Sequence, residues 1–246
     1  MKRGTSVNSG AGIAFGGGLI SAVLLWFAYP PISIFPLALV AYAPLLNRGP
    51  DQKAFTRFLI GWIHGACLQA ALFYWLPDGL KEVRGADTRE AFLLFLNFAL
   101  YQGAFSGIFL WLVGFLGWRK SPVLFSFGAA ALFALLESLF PFFVPLPYGG
   151  VVYKFPILCQ AMELGGVSFI SFIFVFCSAL LGRSLSPHGS GERHELKPWG
   201  IFVLLLSLAI CGYGSWRLYP AAGIDSEDKK EDQASIALGV VQPNLP

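Results

Sequence analysis

Seven long apolar runs leave this chain little choice of fold. They lie at about 11–29, 32–47, 54–76, 91–118, 122–145, 163–182 and 198–216. A helix needs roughly 20 mostly apolar residues to cross a bilayer, and nearly every run approaches that length. Little polar chain is left between them. Of 246 residues, 56% are hydrophobic and 13% charged, against roughly 25% charged in an average soluble domain. Disorder, a solvated coiled coil and an ordinary soluble enzyme are thereby excluded. A net charge of +3 with scattered Lys and Arg excludes a nucleic-acid partner bound through a basic surface. Four cysteines do not make a disulfide framework. The expected fold class is all-α: a polytopic transmembrane helix bundle of about seven spans, with the bilayer as its solvent.

The second run is short and is cut from the first by Tyr29-Pro30-Pro31. Proline lacks an N–H and restricts the residue before it, so the pair reads as a tight turn between two helices. The alternative is one long broken segment, which would change the parity of the topology. Basic residues separate into alternate connections. Lys2, Arg3, Arg48, Lys53, Arg57, Arg119, Lys120, Arg183, Arg193 and Lys197 fall on one side. Lys81, Arg84, Arg89, Lys154, Arg217, Lys229 and Lys230 fall on the other, among many more acids. Arg57 sits just inside the third run and is expected to snorkel back to its side. The N-terminus is therefore expected in the cytoplasm and, with seven spans, the C-terminus outside. The first run leads straight into another apolar run rather than a cleavage site, so it reads as a retained helix. Gly61 with Gly65, and Gly16-Gly17-Gly18, are small-residue faces for close helix packing.

The connection at 77–90 is charged and mixed in sign. The one at 141–156 is aromatic, rich in Pro and Gly, and nearly uncharged. Such a segment is a poor solvated loop, because backbone groups at membrane depth need protein or water partners. It reads either as a re-entrant turn capping the bundle or as a wall of a site for lipid chains. Residues 1–218 thus form the bundle. Residues 219–234 are small, polar and charged, and read as an extracytoplasmic linker. Residues 235–241 read as a buried β-strand ending in a turn signal. A lone strand cannot bury both faces, so 235–246 looks like the opening of a second, soluble domain.

Candidate chemistry is sparse. Glu137 lies inside the fifth run, and an ionisable group in a membrane is either a functional group or a structurally paired one. It is the expected buried polar anchor. Glu163 begins the sixth run near the interface and reads as structural. His64 and Cys67 are two potential ligands, not the four that a structural metal site wants. No nucleophile constellation is visible, so no catalytic residue, metal or cofactor is assigned. With one clear intramembrane carboxylate and no evident repeat, a transporter is disfavoured.

Several of these residues occur in an order that resembles a known family. Phe27-Ala28-Tyr29-Pro30-Pro31, Phe35-Pro36-Leu37-Ala38-Leu39-Val40 and Ala43-Pro44-Leu45-Leu46 look like the opening of apolipoprotein N-acyltransferases. Phe73-Tyr74-Trp75-Leu76, Leu135-Leu136-Glu137, and Tyr153 with Glu163-Leu164-Gly165-Gly166-Val167-Ser168-Phe169 follow in order. Ala237-Leu238-Gly239-Val240-Val241-Gln242-Pro243-Asn244 is similar to the first strand of the nitrilase-like domain that follows the family's membrane bundle.

The resemblance implies an enzyme of the bacterial inner membrane. It transfers a fatty acyl chain from a phospholipid donor to the N-terminal diacylglyceryl-cysteine of an apolipoprotein, through a cysteine thioester. The family's Glu, Lys and Cys catalytic residues would lie in the nitrilase-like domain, and none of the four cysteines here matches that nucleophile. The expected role of this chain is to anchor the catalytic domain and shape lipid access, being inactive alone. Tyr74, Trp75, Tyr148 and Tyr153 are the candidate lipid-facing residues. Tyr148 stands where the family usually carries Trp, keeping an aromatic surface without the indole donor. The alternative class is a non-catalytic scaffold or lipid-binding paralogue, or half of a split enzyme completed by a separate nitrilase-like chain.

Overall fold

Proline spacing decides which apolar runs become continuous helices. A computed structural model describes residues 5–117, 121–185 and 196–227, which contain helices and turns only. Helix α1 (Thr5–Ala28) is uninterrupted and stops at the Pro30-Pro31 turn. The second run is not one helix. Pro36, Pro44 and Pro50 each sit in the first two positions of a short element: a 3-10 turn Phe35–Leu39, α2 (Ala43–Arg48) and a 3-10 turn Gly49–Asp51. Proline is tolerated in the first turn of a helix and breaks its interior, so a proline about every seven residues limits each piece to one or two turns. The broken segment still returns along α1. The Ile34 N–H donates to the Phe27 carbonyl at 3.0 Å, Gly17 faces the Pro44 carbonyl, and Gly10 faces Gln52.

Helix α3 (Ala54–Leu72) is followed across Phe73-Tyr74-Trp75 by α4 (Leu76–Arg84), bent 58° from it. The stretch expected as a charged connection is therefore largely helical. It ends at Gly85, whose φ of +66° makes a left-handed stop. Asp87 then caps α5 (Thr88–Val113) by accepting the Glu90 N–H at 2.8 Å. Next come α6 (Pro122–Leu139), α7 (Pro156–Cys159) between 3-10 turns Tyr148–Val152 and Gln160–Leu164, α8 (Gly166–Ser184) and α9 (Leu196–Glu227).

Among the described residues, five helices are long and apolar enough to cross a membrane: Gly10–Ala28, Thr88–Val113, Pro122–Leu139, Gly166–Ser184 and Gly200–Tyr219. The bent α3–α4 pair makes a sixth candidate. Helix α9 continues through Glu227, into the segment expected to be a linker. Its 32 residues span about 48 Å at ~1.5 Å each, more than the ~30 Å hydrocarbon core. Residues 228–234 of that linker and the expected strand at 235–241 lie outside the described residues.

The core rests on small residues. A side chain on Gly61 would collide with the Ser106 carbonyl, and one on Gly65 would come within 2.6 Å of the Gly103 carbonyl. The α3–α5 contact is accordingly the most extensive in the bundle. The glycines of α1 act likewise against Pro44 and Leu45. Tyr42, Phe109, Phe133 and Tyr148 fill the centre, with Tyr42 edge-on to Phe133 at 5.3 Å and to Tyr148 at 5.2 Å. One end of the bundle gathers Arg57, Arg183 and Asp51. Arg183 donates to the Asp51 carboxylate at 3.3 Å. Arg57, expected to snorkel to water, is instead only 7% exposed. It donates to the Gly114 and Pro50 carbonyls and lies over Phe115, because the ends of α5 and the broken segment offer it open carbonyls.

Candidate functional site

The opposite end carries the 140–165 segment, and side chains of the surrounding helices hold its backbone. Glu137, in the last turn of α6, accepts the Tyr148 N–H at 2.7 Å. Its other carboxylate oxygen is buried without a hydrogen-bond partner of its own. Gln102 of α5 reads the loop as a second strand would: its amide donates to the Val144 carbonyl at 3.0 Å and accepts the Phe143 N–H at 3.2 Å. Tyr101 donates to the Pro141 carbonyl at 2.8 Å, and Tyr29 to the Leu146 carbonyl at 3.3 Å. The Gly149 N–H donates to the Ser171 hydroxyl of α8 at 2.7 Å.

One helical face of α8 thus serves two irregular segments. Seven residues after Ser171, the Ser178 hydroxyl accepts the Tyr42 N–H at 3.3 Å and donates to the Leu39 carbonyl at 3.0 Å. Residues seven apart share a helix face. Non-helical backbone is tolerated at membrane depth only where protein or water satisfies it. These side chains satisfy it here, and the loop caps the bundle.

Of the five residues singled out from sequence, Glu137 and Tyr148 meet through the Tyr148 N–H, and the others do not join them in one site. Tyr148, expected to face lipid, is 2% exposed. Its ring lies in the central aromatic cluster, and its hydroxyl donates to the Ala38 carbonyl. The flanking Gly149 lies so close to α8 that a side chain there would collide with the Val167 carbonyl. Tyr153 is exposed, its hydroxyl 3.5 Å from Ser33 Oγ and its ring 5.5 Å from the Lys154 ammonium. The Ser33 hydrogen bond, helped by Lys154, holds the Tyr153 phenol below its ordinary range. Tyr74 and Trp75 are exposed at the α3–α4 break, where Trp75 packs on Phe73, and Phe73 on Phe98 of α5. Glu137 is half-buried and bound to the loop.

Sequence reading missed Gln102, Ser171, Ser178 and Tyr29. The only signals for them were a polar side chain within an apolar run and the seven-residue spacing of the two serines. His64 is buried, with Nε2 3.2 Å from Ser21 Oγ and its ring 5.6 Å from that of Tyr42. Among the described residues no three His, Cys, Asp or Glu side chains come together as a metal site.

At the same end, Glu163 accepts from Arg217 Nε at 2.8 Å and Nη2 at 3.0 Å, and from the Tyr213 hydroxyl at 3.2 Å. That bond to Arg217 holds its carboxyl below the usual range. Cys159 donates to the Val152 carbonyl at 3.3 Å, and burial raises its thiol, which disfavours the thiolate a nucleophile needs.

A family model described as the apolipoprotein N-acyltransferase N-terminal domain matches residues 21–180. The match takes in α1 from Ser21 onward, the Pro-broken segment, the capped loop and most of α8. Among curated relatives, an apolipoprotein N-acyltransferase of Geobacter metallireducens is 25% identical over 214 residues, covering 83% of this chain and 40% of the relative. The Azotobacter vinelandii enzyme of that name is 29% identical over 170 residues, covering 66% of this chain and 32% of the relative. A Pseudomonas putida relative, also so named, is 29% identical over 191 residues, covering 72% and 37%. The chain therefore spans about a third to two-fifths of the length of these relatives. With its broken second segment and capped loop inside the matched region, this chain belongs to the apolipoprotein N-acyltransferase N-terminal domain family.

Proposed function

We propose that this bundle is the membrane-embedded portion of an acyltransferase. The enzyme would move a fatty acyl chain from a phospholipid to the N-terminal diacylglyceryl-cysteine of bacterial lipoproteins. In this reading the bundle crosses the inner membrane seven times, the broken 35–51 segment being the second crossing. The N-terminus is cytoplasmic and the chain beyond α9 is periplasmic. What carries the role is the capped loop. Three helices, α5, α6 and α8, together with Tyr29 just beyond α1, spend side chains on holding an uncharged, aromatic segment at one end of the bundle. That construction suits a rigid platform against which a soluble catalytic part and two lipid substrates meet at the membrane surface. Tyr74, Trp75 and Tyr153 are the exposed aromatics proposed to face lipid there, and Glu137 anchors the platform from below. Acyl transfer itself is proposed to come from a nitrilase-like part, whether a continuation of the polypeptide or a separate chain.

An assay of the purified 246-residue chain tests this. Supplied with phosphatidylethanolamine and a diacylated lipopeptide, the chain alone should give no N-acylated product. A polypeptide joining it to a relative's nitrilase-like part should give product. Turnover by the 246 residues alone, or none from the joined protein once correctly folded, would overturn the reading.

A further inference from the structure

Helix α9 is the least packed of the candidate spans: only 6% of its most apolar stretch is buried. Near its outer end it is held by the Glu163–Arg217 pair and by Gly214, which packs against Ile157. Deeper down, α9 and α8 enclose a cavity of about 230 Å³ with the 3-10 turn at Phe35–Leu39. Its lining is almost wholly apolar, including Phe35, Leu39, Phe174, Cys177, Leu206 and Ile210. It opens on one side and runs inward from the loop end. Cys177 lies eleven residues into α8, about 17 Å deep at ~1.5 Å per residue, close to the middle of a ~30 Å hydrocarbon core.

The size of the cavity selects its occupant. A transmembrane helix is about 10–12 Å across and would need roughly a thousand Å³ or more over that depth. Apolar cavities of about 150 Å³ stay dry and bind a benzene-sized hydrocarbon. A longer, thin hydrocarbon fits this one, and in a bilayer that means an acyl chain. The segments that close the cavity at the loop end also carry polar groups. Residues 33–35 and 153–155 face each other: Ser33 Oγ lies 3.5 Å from the Tyr153 hydroxyl, and the Phe35 and Phe155 rings are 4.2 Å apart. Ser33 is held at φ +61°, a conformation rarely kept by a non-glycine residue. With Lys154 this edge presents two hydroxyls and an ammonium group, the donors an anionic phosphate diester takes.

We propose that one phospholipid binds here, its acyl chain in the α8–α9 cavity and its phosphate at Ser33, Tyr153 and Lys154. The proposal rests on the membrane reading above and not on acyl transfer, so it stands or falls separately. Native mass spectrometry of the detergent-solubilised chain, titrated with dioleoylphosphatidylglycerol, tests it. One saturable lipid adduct is expected. Ile210→Trp, which fills the cavity, should weaken its retention at least tenfold. Leu124→Trp, on an exposed face of α6, should not. Lys154→Glu changes an exposed side chain without touching the core and should weaken the same adduct several-fold. Equal retention by wild type and Lys154→Glu would sink the headgroup assignment. Retention unchanged in a folded Ile210→Trp, or no saturable adduct at all, would sink the cavity assignment, as expected if another protein segment covers α9.

Discussion

At the scale of single residues, the capped loop depends on a few side chains that spend their polar atoms on backbone. Glu137 was legible because a carboxylate in an apolar run is conspicuous. Gln102 was not, although it makes two hydrogen bonds to the loop and Glu137 makes one. An uncharged amide in a membrane helix has no charge to betray it. Removing a partner leaves a buried group unsatisfied, which costs about 1–3 kcal/mol. Glu137→Ala should therefore lower unfolding stability in detergent by about that amount, and Gln102→Ala by a similar amount. Glu137→Gln keeps an acceptor for the Tyr148 N–H and should lie close to wild type. Reversible denaturation in mixed micelles would check all three, and equal losses for Glu137→Ala and Glu137→Gln would show that charge, not the acceptor, matters. Tyr148 marks the opposite limit. Its residue type suited a lipid-facing wall, but its ring packs in the central aromatic cluster and its hydroxyl donates to the Ala38 carbonyl.

At the scale of elements, close approach and a single clamp do most of the positioning. The spacing of Gly61 and Gly65 announced a thin face on α3, while the identity of its partner, Gly103 of α5, needed the packed structure. Gly65→Val would have to force the two backbones apart. Overpacking of this kind costs about 1–3 kcal/mol, and a lowered thermal midpoint in detergent would record it.

The clamp on α9 responds to pH. Arg217 lowers the Glu163 pKa in the folded state. The stabilisation from this group is therefore complete above the ordinary Glu value of about 4.3 and is lost as pH falls through the depressed folded value. Proteolysis at Trp216 and Tyr219, at the end of α9 that the pair holds, should accelerate below about pH 4. Arg217→Gln should show the faster cleavage at neutral pH, with little further change on acidification. A wild-type rate that does not change with pH would remove the clamp from the account of how α9 is held.

At the scale of the whole molecule, the question is orientation. Arg48, Lys53, Arg57 and Arg183 fall at one end of the bundle, and α4 with the capped loop at the other, an arrangement the alternation of basic residues anticipated. In a variant lacking the four native cysteines, Glu82→Cys should react with a membrane-impermeant maleimide on intact spheroplasts. Lys53→Cys should react only after lysis. The reverse pattern would invert the proposed topology and put the capped loop in the cytoplasm. The second apolar run is the instructive case at this scale. Its hydropathy suggested a span, set off from the first by the Pro30-Pro31 turn. In the fold it returns beside α1 without being a continuous helix.

Hydrophobicity, proline placement and charge alternation are local properties. They were enough to point to a helical membrane bundle, and the order of short motifs carried the resemblance to the family; the helix at Leu76–Arg84 and the broken second segment came only with the structure. The tertiary structure decided which polar atoms meet which backbone groups. In an apolar solvent an irregular segment survives only beside the particular side chains that satisfy it, and those come from helices far away in sequence. Gln102 lies 41 residues from Phe143, and Ser178 lies 136 from Tyr42. Residue type alone cannot reveal such pairings, because they exist only once the helices are packed.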